Sequence, residues 1–144
     1  MLVVGTMTGT SLDGIDVCLI RVSPDASDVS LVSCINKDFG SKSLKERLKS
    51  FCDLSGRFSA KELCELQADF AAVHIDAISE LVKAANVTIT ELSLIAVHGQ
   101  TVYHNPPLSW QMISPAPIAH AFNCDVIFDM RAADIAAGGQ GGQQ

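Results

Sequence analysis

Basic side chains are scarce in this sequence: 10 Lys and Arg stand against 16 Asp and Glu, the formal net charge is −6, and no Lys/Arg cluster occurs. A nucleic-acid surface needs a basic stripe to displace counterions, so the composition argues against a nucleic-acid partner. Long apolar runs are absent too. None approaches the ~18–20 residues of a membrane span, and no basic segment precedes the opening MLVVG. The expectation is a soluble, unexported, cytoplasmic protein with no membrane partner. The five cysteines, Cys18, Cys34, Cys52, Cys64 and Cys124, include no CxxC pair and no Cys/His cluster at metal spacing, which removes the zinc-site reading. They read as small buried hydrophobes kept reduced in the cytoplasm.

What is present is enough to fold. Hydrophobic residues make up 48% of the 144 positions and charged residues 18%, a balance that favours a packed core over disorder. Met1–Met7, Ile15–Val22 (IDVCLIRV) and Val29–Asn36 (VSLVSCIN) are three short β-like runs joined by short links, so an antiparallel meander is expected. The second run is apolar on both alternating sets, as in a strand covered on both faces. Ser43 with Glu46 and Ser59 with Glu62 both fit the S-x-x-E capping spacing at a helix start. After Ser59, Leu63, Leu66, Phe70, Val73, Ala77, Ile78 and Leu81 recur at three and four, which predicts a long amphipathic helix ending near Asn86. Leu92–Val97 is a buried strand whose carboxyl end meets polar HGQT. The stretch NPPLSWQMISPAPIAHAF predicts a turn, an edge segment around Trp110 and a short helix from Pro115 or Pro117. Val126–Phe128 is a last short strand. Four of the ten glycines fall in the final seven residues, so 138–144 is expected to be a disordered tail.

Four clusters carry chemistry. In GTMTGTSLDGID, between the first two strands, Gly9, Thr10, Ser11 and Gly14 offer outward backbone amides, hydroxyl donors and no bulk. That is what a phosphate needs. Asp13 or Asp16 could then hold Mg²⁺ directly or through its waters. A P-loop is excluded because the stretch has no lysine, and a dinucleotide fingerprint because a strand, not a helix, follows Gly14. The competing reading is a tight hairpin whose glycines serve only the turn. After the buried strand, Gln100 and Thr101 could bond a polyhydroxylated ligand or belong to a solvated loop, and His98 reads as a structural histidine. His74 and His120 read as surface or boundary residues. Asp129, Arg131 and Asp134 could form a sugar or phosphate site, with Arg131 as a multidentate donor, or a salt-bridged loop. Trp110 could stack on a sugar ring or lie in the core.

The stretches GTMTGTSLDGID, AVHGQTVYHNP and DMRAADIAAGGQG, in this order, resemble the 1,6-anhydro-N-acetylmuramic acid kinases of bacterial peptidoglycan recycling. Their corresponding stretches read approximately GTMSGTSLDGID, SHGQTVxHxP and DFRxxDxAAGGQGAPLVP. The resemblance implies an α/β fold of the actin and sugar-kinase superfamily, whose halves each hold a ribonuclease-H-like core of three antiparallel strands followed by alternating helices and strands. It implies ATP and Mg²⁺ as cofactors, an anhydro amino sugar as the small-molecule substrate, and a homodimer in the full-length form. The implied reaction opens the 1,6-anhydro ring with water and phosphorylates O6, giving N-acetylmuramic acid 6-phosphate. It assigns Gly9, Thr10, Ser11, Leu12, Asp13, Gly14, Ile15 and Asp16 to the nucleotide phosphates, and Gln100, Thr101 and Arg131 to the substrate; of the two aspartates, Asp13 is the expected metal ligand.

The departures from the family pattern are specific. Residues 1–144 correspond to part of an amino-terminal kinase domain. The catalytic base, expected in a GFDTGPGN-like motif, and the second domain would lie beyond Gln144. The alternative is a non-catalytic remnant or weak sugar- or nucleotide-binding module. At Gln111–Ser114, where the family has Gln-x-Gly-Asp, Ile113 and Ser114 replace a glycine and an acid. Met130 stands where an aromatic is common.

Overall fold

The structure, a computed structural model, describes residues 1–9, 11–53 and 57–142. The predicted meander is present as β1 (Leu2–Thr8), β2 (Ile15–Val22) and β3 (Val29–Lys37). Both pairings are antiparallel, from Leu2 opposite Arg21 to Thr8 opposite Ile15, and from Ile15 opposite Lys37 to Val22 opposite Val29. Next come α1 (Lys42–Cys52), α2 (Ala60–Ala84), β4 (Leu92–Val97), β5 (Gln100–Asn105), β6 (Leu108–Met112), α3 (Pro115–Phe122), β7 (Val126–Phe128) and α4 (Met130–Ala136). The main sheet runs β3-β2-β1-β4-β7, with β4 parallel to both β1 and β7. This is the expected α/β arrangement: a ribonuclease-H-like sheet, three antiparallel strands followed by parallel ones. No helix among the described residues is long and apolar enough to cross a membrane.

The core lies on one face of this sheet. Val4, Ile15, Val17, Leu19 and Ile95 meet Leu66, Phe70, Ile78 and Leu81 of α2 and Ile118 of α3, all fully buried. Only one alternating set of β2 is buried. Cys18 and Ile20 on the other set are half-exposed, so the expected two-sided cover is absent among the described residues.

Two caps separate the helix signals. Ser59 closes a full capping box with Glu62: its amide donates to Oε2 at 2.7 Å, and the Glu62 amide donates back to Oγ at 3.3 Å. At α1 the expected Ser43 is inside the helix, and Ser41 caps it by accepting from the Leu44 amide at 3.1 Å. The core sets this boundary. Leu44, Leu48 and Phe51 are the buried stripe, so Leu44 must already be helical and the cap must precede it by three.

Three further expectations are corrected. His74 is fully buried, because the stripe Leu66, Phe70, Ile78 passes through it at intervals of four. Its Nδ1 donates to the Phe70 carbonyl at 2.8 Å, while Nε2 has no partner. Gln100 and Thr101 begin β5 instead of a loop; the edge segment expected around Trp110 is present as β6, its antiparallel partner in a separate two-stranded sheet. Cys18 and Cys34, opposite one another on β2 and β3 with Cα atoms 4.1 Å apart, are joined as a disulfide, whereas Cys52, Cys64 and Cys124 are free. Cys64 is exposed. His120 is exposed, as expected of a surface residue. Trp110, 44% exposed, sets its ring edge-on to Phe51, so it is neither buried nor free.

Candidate functional site

Parallel pairing places the carboxyl ends of β1, β4 and β7 side by side: Thr6 is level with Val97, and Val97 with Phe128. The His98 amide, one residue past β4, donates to the Thr6 carbonyl at 3.0 Å and fixes that edge. The glycine-rich hairpin after β1, His98 after β4 and the Asp129–Asp134 segment after β7 therefore share one end of the sheet. Ligands of open α/β sheets bind at such ends.

In the hairpin, the Leu12 amide donates to the Gly9 carbonyl at 3.2 Å. Leu12 takes a left-handed conformation (φ 53°) and buries its side chain, and Ile15 is fully buried. These two can offer a phosphate only backbone atoms. Thr10 lies outside the described residues. A β-carbon on Gly14 would lie 2.5 Å from the Lys37 carbonyl oxygen, so this glycine lets β3 approach. Asp16 is exposed in β2 and accepts from Asn36 Nδ2 at 2.8 Å.

Asp13 is exposed and paired with Lys45 Nζ of α1 at 3.0 Å. Its carboxyl is held below the usual range first by this bond, then by one from Ser11. Among the described residues no three His, Cys, Asp or Glu side chains converge as metal ligands. Ser11 is exposed at the hairpin and Gly9 half-buried, whereas Gly14 is buried against β3. Among the described residues the hairpin forms no preformed Mg²⁺ site, since Asp13 is already paired with an ammonium group. Lys45 is a cation that sequence reading missed, because nothing local connects α1 to this turn.

A cleft of about 600 Å³ is lined by His98, Met130, Arg131 and Asp134 and by the glycine-rich segment 139–142. Arg131 has no ion-pair partner among the described residues, so the salt-bridged alternative for this segment is not what forms. Asp134 instead gathers the glycines. Its Oδ2 accepts from the Gly141 amide and its carbonyl from the Gly139 amide, both at 2.8 Å. A side chain at Gly139 would collide with that carboxylate.

Alternation along β5 separates the other two candidates. Gln100 is buried, with Oε1 lacking a donor, and does not line the cleft. Thr101 faces the other way, where its Oγ1 accepts from Gln111 Nε2 at 3.2 Å. The same amide nitrogen lies 2.9 Å from His98 Nε2. Gln111, itself buried, thus ties Thr101 to His98 and gives the histidine the partner that sequence alone did not reveal. Partial burial, then the nearby Arg131 charge, lower the His98 pKa. The imidazole stays neutral at pH 7 with Nε2 as acceptor, which puts its proton on Nδ1. Gln111→Leu is expected to release this tautomer, read as a shift of the His98 imidazole ¹⁵N signals; unchanged signals would mean that the contact does not hold the ring. Gln111 becomes legible only once the β5–β6 hairpin sets it opposite Thr101.

At Gln111–Ser114, Ile113 packs against Gly99, where a β-carbon would sit 3.1 Å from Ile113 Cβ and 2.7 Å from the Met112 carbonyl oxygen. Ser114 stands before α3 without a capping bond from its side chain. An isoleucine therefore fills space where the resembled pattern has a glycine.

A family model described as "Anhydro-N-acetylmuramic acid kinase" matches residues 1–143. The protein of that name from Bacillus thuringiensis subsp. konkukian (strain 97-27) is 36% identical over 150 residues, which cover 98% of this chain and 39% of that protein. Proteins of the same name from Bacillus cereus (strain AH820) and Bacillus anthracis (strain A0248) are each 35% identical with the same coverage. The chain spans 39% of the length of these curated relatives.

Proposed function

The chain belongs to the anhydro-N-acetylmuramic acid kinase family, and from that premise we propose that it supplies one side of the catalytic cleft of an ATP-dependent kinase acting in peptidoglycan recycling. The observation that carries this reading is the convergence of three separate sequence clusters at the carboxyl ends of β1, β4 and β7. In the proposed reaction, water adds to C1 of 1,6-anhydro-N-acetylmuramic acid, the C1–O6 bond breaks, and O6 takes the γ-phosphoryl group of ATP, leaving ADP.

The backbone from Gly9 to Asp16, with the Ser11 hydroxyl, is assigned to the phosphates. Oriented amides there stabilise charge that develops on the transferring group. Lys45, 3.0 Å from Asp13, adds a positive charge at the same turn. Mg²⁺ would enter with the nucleotide, and no step is assigned to it. Arg131 suits the carboxylate of a muramic acid, because a guanidinium with no carboxylate partner among the described residues is free to form a two-pronged bond. Gln100, which is buried, and Thr101, whose hydroxyl accepts from Gln111, do not line the cleft, so no sugar contact is assigned to either. The full-length form is proposed to be a homodimer, and the compartment the cytoplasm.

The test is to incubate the full-length parent with ATP, Mg²⁺ and 1,6-anhydro-N-acetylmuramic acid. N-acetylmuramic acid 6-phosphate is the expected product, and none at saturating substrate overturns the reading. Arg131→Ala is expected to raise KM about tenfold or more with a smaller change in kcat, as for loss of a charge-assisted bond present in both ground and transition states. The 144-residue chain alone is expected to show negligible sugar-dependent ATP turnover.

A further inference from the structure

The stretch AVHGQTVYHNP holds a second histidine, His104, which the function proposed above does not use. Alternation alone would turn it away from Thr101, three positions earlier on β5. An irregularity in the β5–β6 pairing between Thr101 and Tyr103 reverses this: Thr101 stands opposite Gln111, and His104 opposite Ser109, two residues before Gln111. Such a bulge re-aims the side chains that follow it. His104 therefore joins the polar face that carries Thr101 and Gln111.

On that face His104 is half-buried, and its Nδ1 lies 3.1 Å from Ser109 Oγ, a bond that fixes the ring. The ring backs onto Gly141. A β-carbon there would lie 2.9 Å from His104 Cε1 and 3.0 Å from Ile135 Cδ1 of α4, and the residue takes a left-handed conformation (φ 75°). Both the space and the backbone thus require glycine. From α4 the Asp134 carboxylate holds the same residue, with Oδ2 accepting from the Gly141 amide at 2.8 Å. Gly141 is buried in this grip. The next residue, Gly142, lies against the Arg131 guanidinium, since a β-carbon on it would stand 3.4 Å from Nη1. His104 does not line the cleft. It stands behind the glycine-rich wall that does, and Arg131 rests against the same wall.

We propose that His104 is a positioning residue for the substrate cleft: wedged between Ser109 and Gly141, it holds segment 139–142 where that segment sets the Arg131 guanidinium toward a bound carboxylate. The link to substrate rests on the carboxylate role proposed for Arg131, whereas the wedge rests on contacts within this chain. The imidazole acts through its shape and its bond to Ser109 and exchanges no proton with substrate. Without the ring, Gly141 is held only from the α4 side. The segment and the guanidinium can then take several arrangements, and binding weakens in proportion to the fraction that fits the ligand.

The experiment uses the full-length parent and two readouts. The first, hydrogen exchange in peptides spanning 138–142, needs no activity. His104→Ala is expected to speed exchange at Gly139 and Gly141 about tenfold, and Ser109→Ala, a gentler change that keeps the ring, about threefold. His104→Phe keeps a ring without the bond to Ser109 and should restore most of the protection. The second readout is kinetic. His104→Ala should raise KM for 1,6-anhydro-N-acetylmuramic acid about fivefold with kcat changed by less than about twofold. In an Arg131→Ala background the same substitution should change KM by less than about twofold, because both residues act through one contact. Wild-type exchange rates in both His104→Ala and Ser109→Ala, or no recovery in His104→Phe, overturn the wedge. Faster exchange with an unchanged KM, or a KM effect that persists in full without Arg131, overturns its link to the cleft. A wild-type parent with no sugar kinase activity would overturn the functional reading instead, and exchange would still decide the wedge.

Discussion

On acidification from pH 7 to pH 4 the chain is expected to lose about 3 kcal/mol of folding stability through His74 alone. Burial, opposed by the bond to the Phe70 carbonyl, lowers the pKa of this imidazole from 6.5 to about 4. The unfolded chain therefore takes up the proton below pH 6.5, while the folded chain refuses it until about pH 4. Stability from this source is complete above pH 6.5 and declines as the pH falls through that window. Protonation would put a charge between the Phe70 ring, 4.6 Å away, and the core, with Nε2 offering a proton to nothing. Urea unfolding of wild type and His74→Leu at pH 7 and pH 4 checks it. The difference between the two proteins should change by about 3 kcal/mol across that range. A difference that does not change with pH would mean that His74 is not the linked group.

Gly14→Ala is expected to destabilise the chain by about 2–3 kcal/mol, the range for a small-to-large change at a tightly packed position. The added methyl would stand 2.5 Å from the Lys37 carbonyl oxygen and 3.0 Å from its carbon, both backbone atoms of β3. Relief requires β3 to part from β2 at the end where Ile15 pairs with Lys37. Gly9→Ala, in the same hairpin, meets the Ser11 hydroxyl at 3.3 Å, and a side chain can turn away. Its cost should stay below about 1 kcal/mol. Chemical unfolding of the two variants side by side measures the contrast. Equal losses would show that the β2–β3 approach is not what requires glycine at position 14.

The two glycines illustrate where sequence reading stops. Both looked alike in GTMTGTSLDGID, and the structure gives one to a strand contact and leaves the other in the turn. The meander, the long helix after Ser59 and the strand before His98 were legible because each rests on local periodicity or a capping bond spanning three residues. The helix period also passed through His74, but a polar side chain at a buried phase reads as a boundary until its neighbours are placed. Ser43 and Ser41 both precede a helix-forming run, and the choice fell to Leu44, whose burial sets where the helix must already have begun. Cys18 and Cys34 are 16 residues apart, and only the β2–β3 register makes them neighbours.

By itself the sequence determined the kinds of elements, their order, and which segments carry glycines, hydroxyls and charges suited to phosphate and sugar. Those properties follow from interactions between residues a few positions apart. Tertiary structure alone decided that the ends of β1, β4 and β7 meet, that Lys45 reaches Asp13, and that Gln111 joins Thr101 to His98. It also decided that, among the described residues, nothing packs against the sheet at Gly5. Each of these depends on strand register and helix placement, which are set by how the whole core packs and are not encoded in any short stretch of chain.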